Sequence, residues 1–231
     1  MRLKITRTVA CLAFILLCAT AAFAGPPLLC HSFDIGDAKS LPWISQRWNL
    51  TGTETYDNKN LATDTLSILD ANSTVIVHME TLRRAALYAQ KDPSAAKQLL
   101  LKLIARSDAA SKHTSGSALA LFDEGYFAAT LDQLHWVEKD FANPAKGLDA
   151  YALVKKAIGL SNGNAQMHFG AALMTLDDPS ADQAGHAKMA LVGAQSDPLL
   201  ARNLATHFMG PQTETMAQMI NRNSATKAAR E

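Results

Sequence analysis

Residues 147–175, GLDAYALVKKAIGLSNGNAQMHFGAALMT, constrain the fold more than any other stretch of this chain. Ala150, Val154, Ala157 and Ile158 recur at three- and four-residue spacings, which places them on one face of a helix while Lys155 and Lys156 point away. The turn Ser161-Asn162-Gly163 follows, and then a second helix with Met167, Ala171 and Met174 on one face and Phe169 and Leu173 beside it. Alanines at the contact let two helix axes approach closely, so the expected unit is an antiparallel helical hairpin. Such a hairpin cannot bury both its faces alone and needs similar neighbours.

The rest of the chain supplies them. Asn58 or Asn60 can cap a helix carrying Leu61, Leu66 and Leu69, and Ser73 or Thr74 can cap the next, where Val75, Met79, Leu82 and Ala86 form an amphipathic stripe. Three later helices are expected to open with one device, Asp92-Pro93, Asp178-Pro179 and Asp197-Pro198. The aspartate accepts from free first-turn amides, and the proline has no amide to leave unsatisfied. Residues 117–134 read as a further helix with Leu121, Phe122, Gly125 and Ala129 inside. No run of β-branched residues alternates as a strand requires, so the fold class is all-α.

The start of the chain reads as an address. Arg2, Lys4 and Arg7 precede an apolar run from Val9 to Leu17, and Ala22-Phe23-Ala24 is the small-x-small pattern of a cleaved signal peptide, residues 1–24. The run is shorter than the ~20 residues that span a bilayer, so no membrane span is expected after cleavage. Export to a bacterial periplasm or the extracellular space follows. Cleavage removes three basic residues and no acidic one, leaving 19 basic against 21 acidic and a formal charge of −2. That balance gives no footprint for nucleic acid. It also leaves Cys30 as a single thiol, with an intermolecular disulfide as its one route to oxidative pairing.

Residues 25–57 are punctuated by Pro26, Pro27, Gly36, Pro42 and Gly52, yet carry Phe33, Leu41, Trp43 and Trp48. An extended leader whose aromatics pack on the helical body is expected there, followed by the body at residues 58–210 and a polar tail at 211–231. Cys30-His31-Ser32-Phe33-Asp34-Ile35-Gly36, with Ser40-Leu41-Pro42-Trp43, resembles the mature start of uncharacterised exported bacterial proteins, which implies export and no activity.

Ala150, Val154 and Ala157 have the small-large-small spacing of the second helix of a tetratricopeptide repeat. Ala187, Leu191 and Ala194, with Pro198 following, have it again 37 residues later. Leu121, Gly125 and Ala128 echo the first helix. On these residues the chain resembles the tetratricopeptide-repeat type of α-solenoid. It departs from that pattern in its longer spacing, in the insert at residues 135–146, and in helices before residue 110 that fit poorly. The resemblance implies stacked antiparallel hairpins in a right-handed superhelix; an irregular helical bundle is the other all-α form. It also implies partner binding along the face lined by first helices, residues 121–133 and 166–175, where Glu124, Gln133 and His168 are the outward-capable polar residues.

Reactive constellations are few. Cys30-His31 lacks the second cysteine of a haem-attachment motif, because Pro27 stands in its place. His78 and Glu80 lie two apart on a helix and point away from each other, so they cannot grip one metal ion. His135, His168, His186 and His207 show no i,i+4 pair. Asp123, Glu124 and Asp132 read as a solvated acidic face, and Arg83-Arg84 and Lys155-Lys156 as solvent-facing pairs. There is no phosphate loop, nucleophile elbow or zinc spacing, and no cofactor is expected. The expected function is a scaffold for a protein or peptide partner in the cell envelope. The alternative is a small α-helical hydrolase or lyase whose site gathers two or more of His78, His135, His168 and His186 with Asp123 or Glu124. A third reading makes the leader around Trp43 and Trp48 an outward docking segment.

Overall fold

The computed structural model of the chain describes residues 25–44, 50, 52–72, 74–111, 117–178 and 180–208. Residues 1–24, expected to be a signal peptide, lie outside the described residues, as do Trp48, Ser73, Pro179 and the tail at 211–231. Among the described residues the fold is all-α. Its helices are α1 (Leu61–Asp70), α2 (Val75–Ala89), α3 (Pro93–Ser111), α4 (Ser117–Gln133), α5 (Ala150–Leu160), α6 (Ala165–Met174), α7 (Gln183–Gly193) and α8 (Pro198–Phe208). Short 3-10 turns precede α1, at Asn58–Asn60, and follow α4, at Leu134–Trp136.

Local chemistry sets most of the boundaries. Asp92 Oδ1 accepts from the amides of Ser94 and Ala95, both at 3.1 Å, and Asp197 Oδ1 accepts from Leu200 at 3.0 Å, so the Asp-Pro device opens α3 and α8 as expected. The third instance differs. Asp178 accepts from the Ser180 amide at 2.9 Å and its hydroxyl at 2.6 Å, which closes a turn, and α7 begins only after Asp182, whose Oδ1 accepts from Gly185 at 3.0 Å. Asp92 makes the same two bonds to Ser94 and still opens a helix, so the serine alone does not account for the difference. The hairpin turn between α5 and α6 has Asn162 and Gly163 at φ 54° and 79°, the left-handed region these two residue types tolerate best.

Neighbouring helices pack as hairpins, and alternate helices also meet: α2 touches α4, α4 touches α6, and α6 touches α8. These four form an inner row, with α1, α3, α5 and α7 outside it. The row is curved enough for α2 to contact α6 directly. Covered on more than one side, α2 is buried at all but one of its residues, so the stripe of Val75, Met79, Leu82 and Ala86 is only part of what it hides. The readings of Arg83 and of Asp123-Glu124 as solvent-facing are overturned for the same reason. Arg83 is 2 % exposed, Asp123 0 % and Glu124 7 %. Lys155 and Lys156, on outer α5, are exposed.

The leader at residues 28–42 lies against the inner row; it is extended between a turn at residues 26–30 and another at 35–38, so it is not extended throughout. Leu28, Leu29, Phe33 and Leu41 are buried in the same core as Phe122, Phe127 and Phe169. Burying such side chains contributes roughly 1.5–3 kcal/mol each, so this segment is part of the folded body.

Gly125 lies where α4 and α5 approach closely. A methyl group there would stand 2.8 Å from the Ala150 carbonyl oxygen and 2.8 Å from Leu153 Cβ, whereas at Gly159 on the outer face of α5 it would meet nothing within 4 Å. Gly125→Ala is therefore expected to destabilise by about 1–3 kcal/mol through overpacking. Gly159→Ala is expected to stabilise by up to about 1 kcal/mol through helix propensity. Chemical denaturation of the two variants beside the parent checks both signs.

Candidate functional site

The polar groups of the inner row converge on the backbone of the extended leader. Glu80 on α2 is fully buried and accepts four hydrogen bonds. Arg83 gives two, from Nε at 2.8 Å and Nη2 at 3.0 Å; Arg84 Nε gives one at 2.6 Å; and the amide of Phe33 gives the fourth at 3.0 Å. Spacing of three and four residues on one helix brings both guanidinium groups to one carboxylate. Two cations against one anion leave a positive surplus, and the leader supplies what meets it. Arg83 Nη1 donates to the Leu29 carbonyl at 2.9 Å and Arg84 Nη1 to the Leu41 carbonyl at 2.5 Å. The ring of Trp43 lies 5.2 Å from the Arg83 guanidinium and 5.9 Å from that of Arg84, within cation–π range.

Other inner helices hold the leader in the same manner. Gln133 at the end of α4 accepts from the Leu28 amide at 2.8 Å. On α8, Asn203 accepts from the Asp34 amide at 2.9 Å and donates to the Asp34 carbonyl at 2.8 Å, so one side-chain amide reads both backbone groups of one residue. Arg202 Nε adds a 2.6 Å bond to the Asp34 carboxylate, which this donor holds below the usual carboxylate range. Tyr88 donates to the Pro42 carbonyl, and the Thr81 and Ser40 hydroxyls meet at 3.0 Å. Most of these hydrogen bonds engage the leader's backbone, while its buried side chains and the Asp34 carboxylate add contacts that depend on its sequence.

Aromatic packing completes the hold. Phe33 stacks on His207 with centroids 4.5 Å apart and meets Phe169 of α6 edge-on at 5.9 Å. His207 Nδ1 donates to the Asn203 carbonyl at 2.9 Å. Burial is the main cause that pushes the His207 pKa down to about 4; nearby His31 acts in the same direction, and the hydrogen bond to Asn203 and the Glu80 charge oppose it. Beside the leader a groove of about 530 Å³ is lined by Ser32, Asp34, Ser40, Trp43, Arg84 and Thr206.

The residues singled out from sequence fall in separate places. Glu124 is buried, and its carboxylate accepts from the Ser107 hydroxyl. Gln133 faces the leader, and His168 pairs Nδ1 to Nδ1 with His186 at 2.8 Å. Cys30 is half-buried, and desolvation pushes its thiol pKa up while Arg83 opposes this. His78 Nδ1 lies 2.7 Å from Asp123 Oδ1, whose other oxygen accepts from Arg106 at 2.6 Å. Both His78 and Asp123 are fully buried, so the pair braces α2 against α4 out of reach of a substrate. His135 is exposed on the turn after α4 and bonds the Asp132 carbonyl at 2.5 Å. His78, His135 and His168 therefore stand apart; only His168 and His186 meet, and neither is hydrogen-bonded to Asp123 or Glu124. Among the described residues no group of three or more His, Cys, Asp or Glu side chains gathers as metal ligands, and no helix is long and apolar enough to cross a membrane.

The sequence signal for this site was the run Glu80-x-x-Arg83-Arg84, an ion-pair spacing readable on any helix. Its burial, and Asn203 with His207 one turn apart on α8, required the leader's path to be known.

Replacing Glu80 by Gln leaves two guanidinium groups without a buried counter-charge, and breaking such a pair costs about 3–5 kcal/mol. Denaturation should show that loss, and hydrogen exchange at the Phe33 amide should accelerate. The pKa of His207 is depressed on folding, so between pH 6.5 and 4 the unfolded chain binds the extra proton. Its contribution to stability is complete above pH 6.5 and lost as pH falls toward 4. His207→Gln should flatten the stability-versus-pH curve in that window.

Set beside known proteins, the chain matches no family model, no curated protein and no solved structure.

Proposed function

We propose that this is an exported α-helical, repeat-like scaffold that binds a protein or peptide partner in the bacterial cell envelope, and that the inner helical row is its binding face. The observation that carries the reading is the leader itself. Side chains of α2, α4 and α8 hydrogen-bond both amides and carbonyls of a non-helical segment, at the turn around Leu28 and Leu29 and along the stretch from Phe33 to Leu41, an arrangement suited to holding a peptide against the row. The partner then has two ways to engage: an extended peptide exchanging with the leader, or a chain laid in the groove beside it.

The resemblance to tetratricopeptide hairpins supports the reading through one contact. Gly125, the first-helix echo, lies against Ala150 and Val154, two of the second-helix positions. The export half rests on Arg2, Lys4 and Arg7, the apolar run and Ala22-Phe23-Ala24. Cys30 enters only as a half-buried thiol of raised pKa, so hydrogen bonds rather than an intermolecular disulfide hold the partner in this reading.

Crosslinking of the mature chain in its native compartment, followed by mass spectrometry, tests the proposal. The expected result is one dominant partner, crosslinked within residues 28–42, 121–133 or 166–175 and competed by a synthetic peptide of residues 25–44. Asn203→Ala removes two backbone hydrogen bonds of about 1 kcal/mol each and should change that peptide's affinity by roughly tenfold or more. Abundant, folded protein that captures nothing competable would sink the scaffold reading and turn attention to small-molecule substrates.

A further inference from the structure

His168 and His186 form a cluster that the leader-holding row does not use. His168 lies on inner α6 and His186 on outer α7, and their Nδ1 atoms are 2.8 Å apart. On its other side His186 Nε2 is 2.9 Å from the hydroxyl of Tyr151 on α5. The rings are neither stacked nor coplanar, with centroids 5.0 Å apart and planes at 46°. His168 is only half-buried, so one edge of the pair remains open to solvent.

Two imidazole nitrogens held at this separation have a second use besides sharing a proton. Imidazole nitrogens sit about 2.0–2.1 Å from a bound divalent ion, so two of them at a right angle on one ion lie about 2.9 Å apart. Tetrahedral coordination spreads them to roughly 3.3 Å. The observed spacing matches adjacent corners of a tetragonal site, the geometry of Cu²⁺ or Ni²⁺ with nitrogen and oxygen ligands. We propose that His168 and His186 chelate one Cu²⁺ ion per chain through their Nδ1 atoms, with water filling the remaining positions.

The surroundings fit that assignment. In the metal-bound form both rings carry their proton on Nε2. The proton now shared between the Nδ1 atoms is displaced to an outer Nε2, and the ion takes its place. His186 Nε2–H then donates to the Tyr151 oxygen, the outer hydrogen bond that orients a ligating imidazole. Asp182, at the start of α7, places a negative charge near both rings. Lys155 opposes it near His186, but its ammonium is drawn over the Tyr151 ring at 4.5 Å. Two protein nitrogens with solvent make a site selected by geometry and the strong place of Cu²⁺ in the divalent series rather than by a closed cage.

The test uses the tag-free mature chain titrated with Cu²⁺ and followed by electron paramagnetic resonance and isothermal calorimetry. One ion per chain, with hyperfine coupling to two imidazole nitrogens, is expected, and stoichiometric binding should vanish in His168→Gln and in His186→Gln but persist in His135→Gln. Tyr151→Phe should bind about tenfold more weakly, because its outer hydrogen bond is gone. If a histidine variant does not fold, NMR of the parent decides. Sub-stoichiometric Cu²⁺ should broaden signals around residues 151, 168 and 186 before any others. A folded parent that binds no Cu²⁺ stoichiometrically, equal affinity after replacing either histidine, or broadening that starts elsewhere overturns the assignment.

Discussion

A single carboxylate, that of Glu80, ties the leader to the helical body. It lies in the middle of a buried helix, where an isolated negative charge costs several kcal/mol, and it is tolerable there only because two guanidinium groups and a backbone amide surround it. Those same guanidinium groups then need acceptors of their own. The leader's carbonyls at Leu29 and Leu41 provide them, so the electrostatics of α2 and the path of the leader are solved jointly. Neither would be stable in this arrangement without the other.

The same requirement for a partner accounts for the other charged and polar residues that α2 and α4 carry in positions closed to water. His78 is matched to Asp123, Asp123 to Arg106, and Arg106 in turn reaches Asp70 at 3.0 Å. Glu124 is matched to Ser107. Each pairing ties one helix to another, and together they fix the relative positions of α1, α2, α3 and α4 more specifically than apolar contact alone does. Apolar packing supplies the bulk of the stability; these directional bonds select one arrangement.

The sequence made the helices and their hairpin legible because those depend on neighbours a few residues away. Ala150, Val154, Ala157 and Ile158 are buried as their spacing indicates, and Asp92 and Asp197 cap helices as their Asp-Pro context indicates. Arg83, Asp123 and Glu124 were misread because periodicity equates a polar face with water, and that equation fails for a helix covered on both sides. Their partners lie far along the chain: Leu29 is 54 residues from Arg83, and Asp123 is 45 from His78. Likewise His168 and His186 show no ligand spacing in sequence, since the turn between α6 and α7 brings them together across 18 residues. Asp178 has the same Asp-Pro-Ser context as Asp92 yet closes a turn, and the helix start passes to Asp182 four residues on.

The hold of Asn203 on Asp34 spans 169 residues, which makes the earliest described part of the chain dependent on the last described helix. A polypeptide emerging from a ribosome with its amino end first can dock Phe33 and Leu41 on α2, but it exposes Asp34 and one face of the Phe33 ring long before α8 exists to receive them. Closure of so long a loop is entropically slow, and it is the final event of assembly by construction. Until then the end of the leader nearest Asp34 is held from one side only.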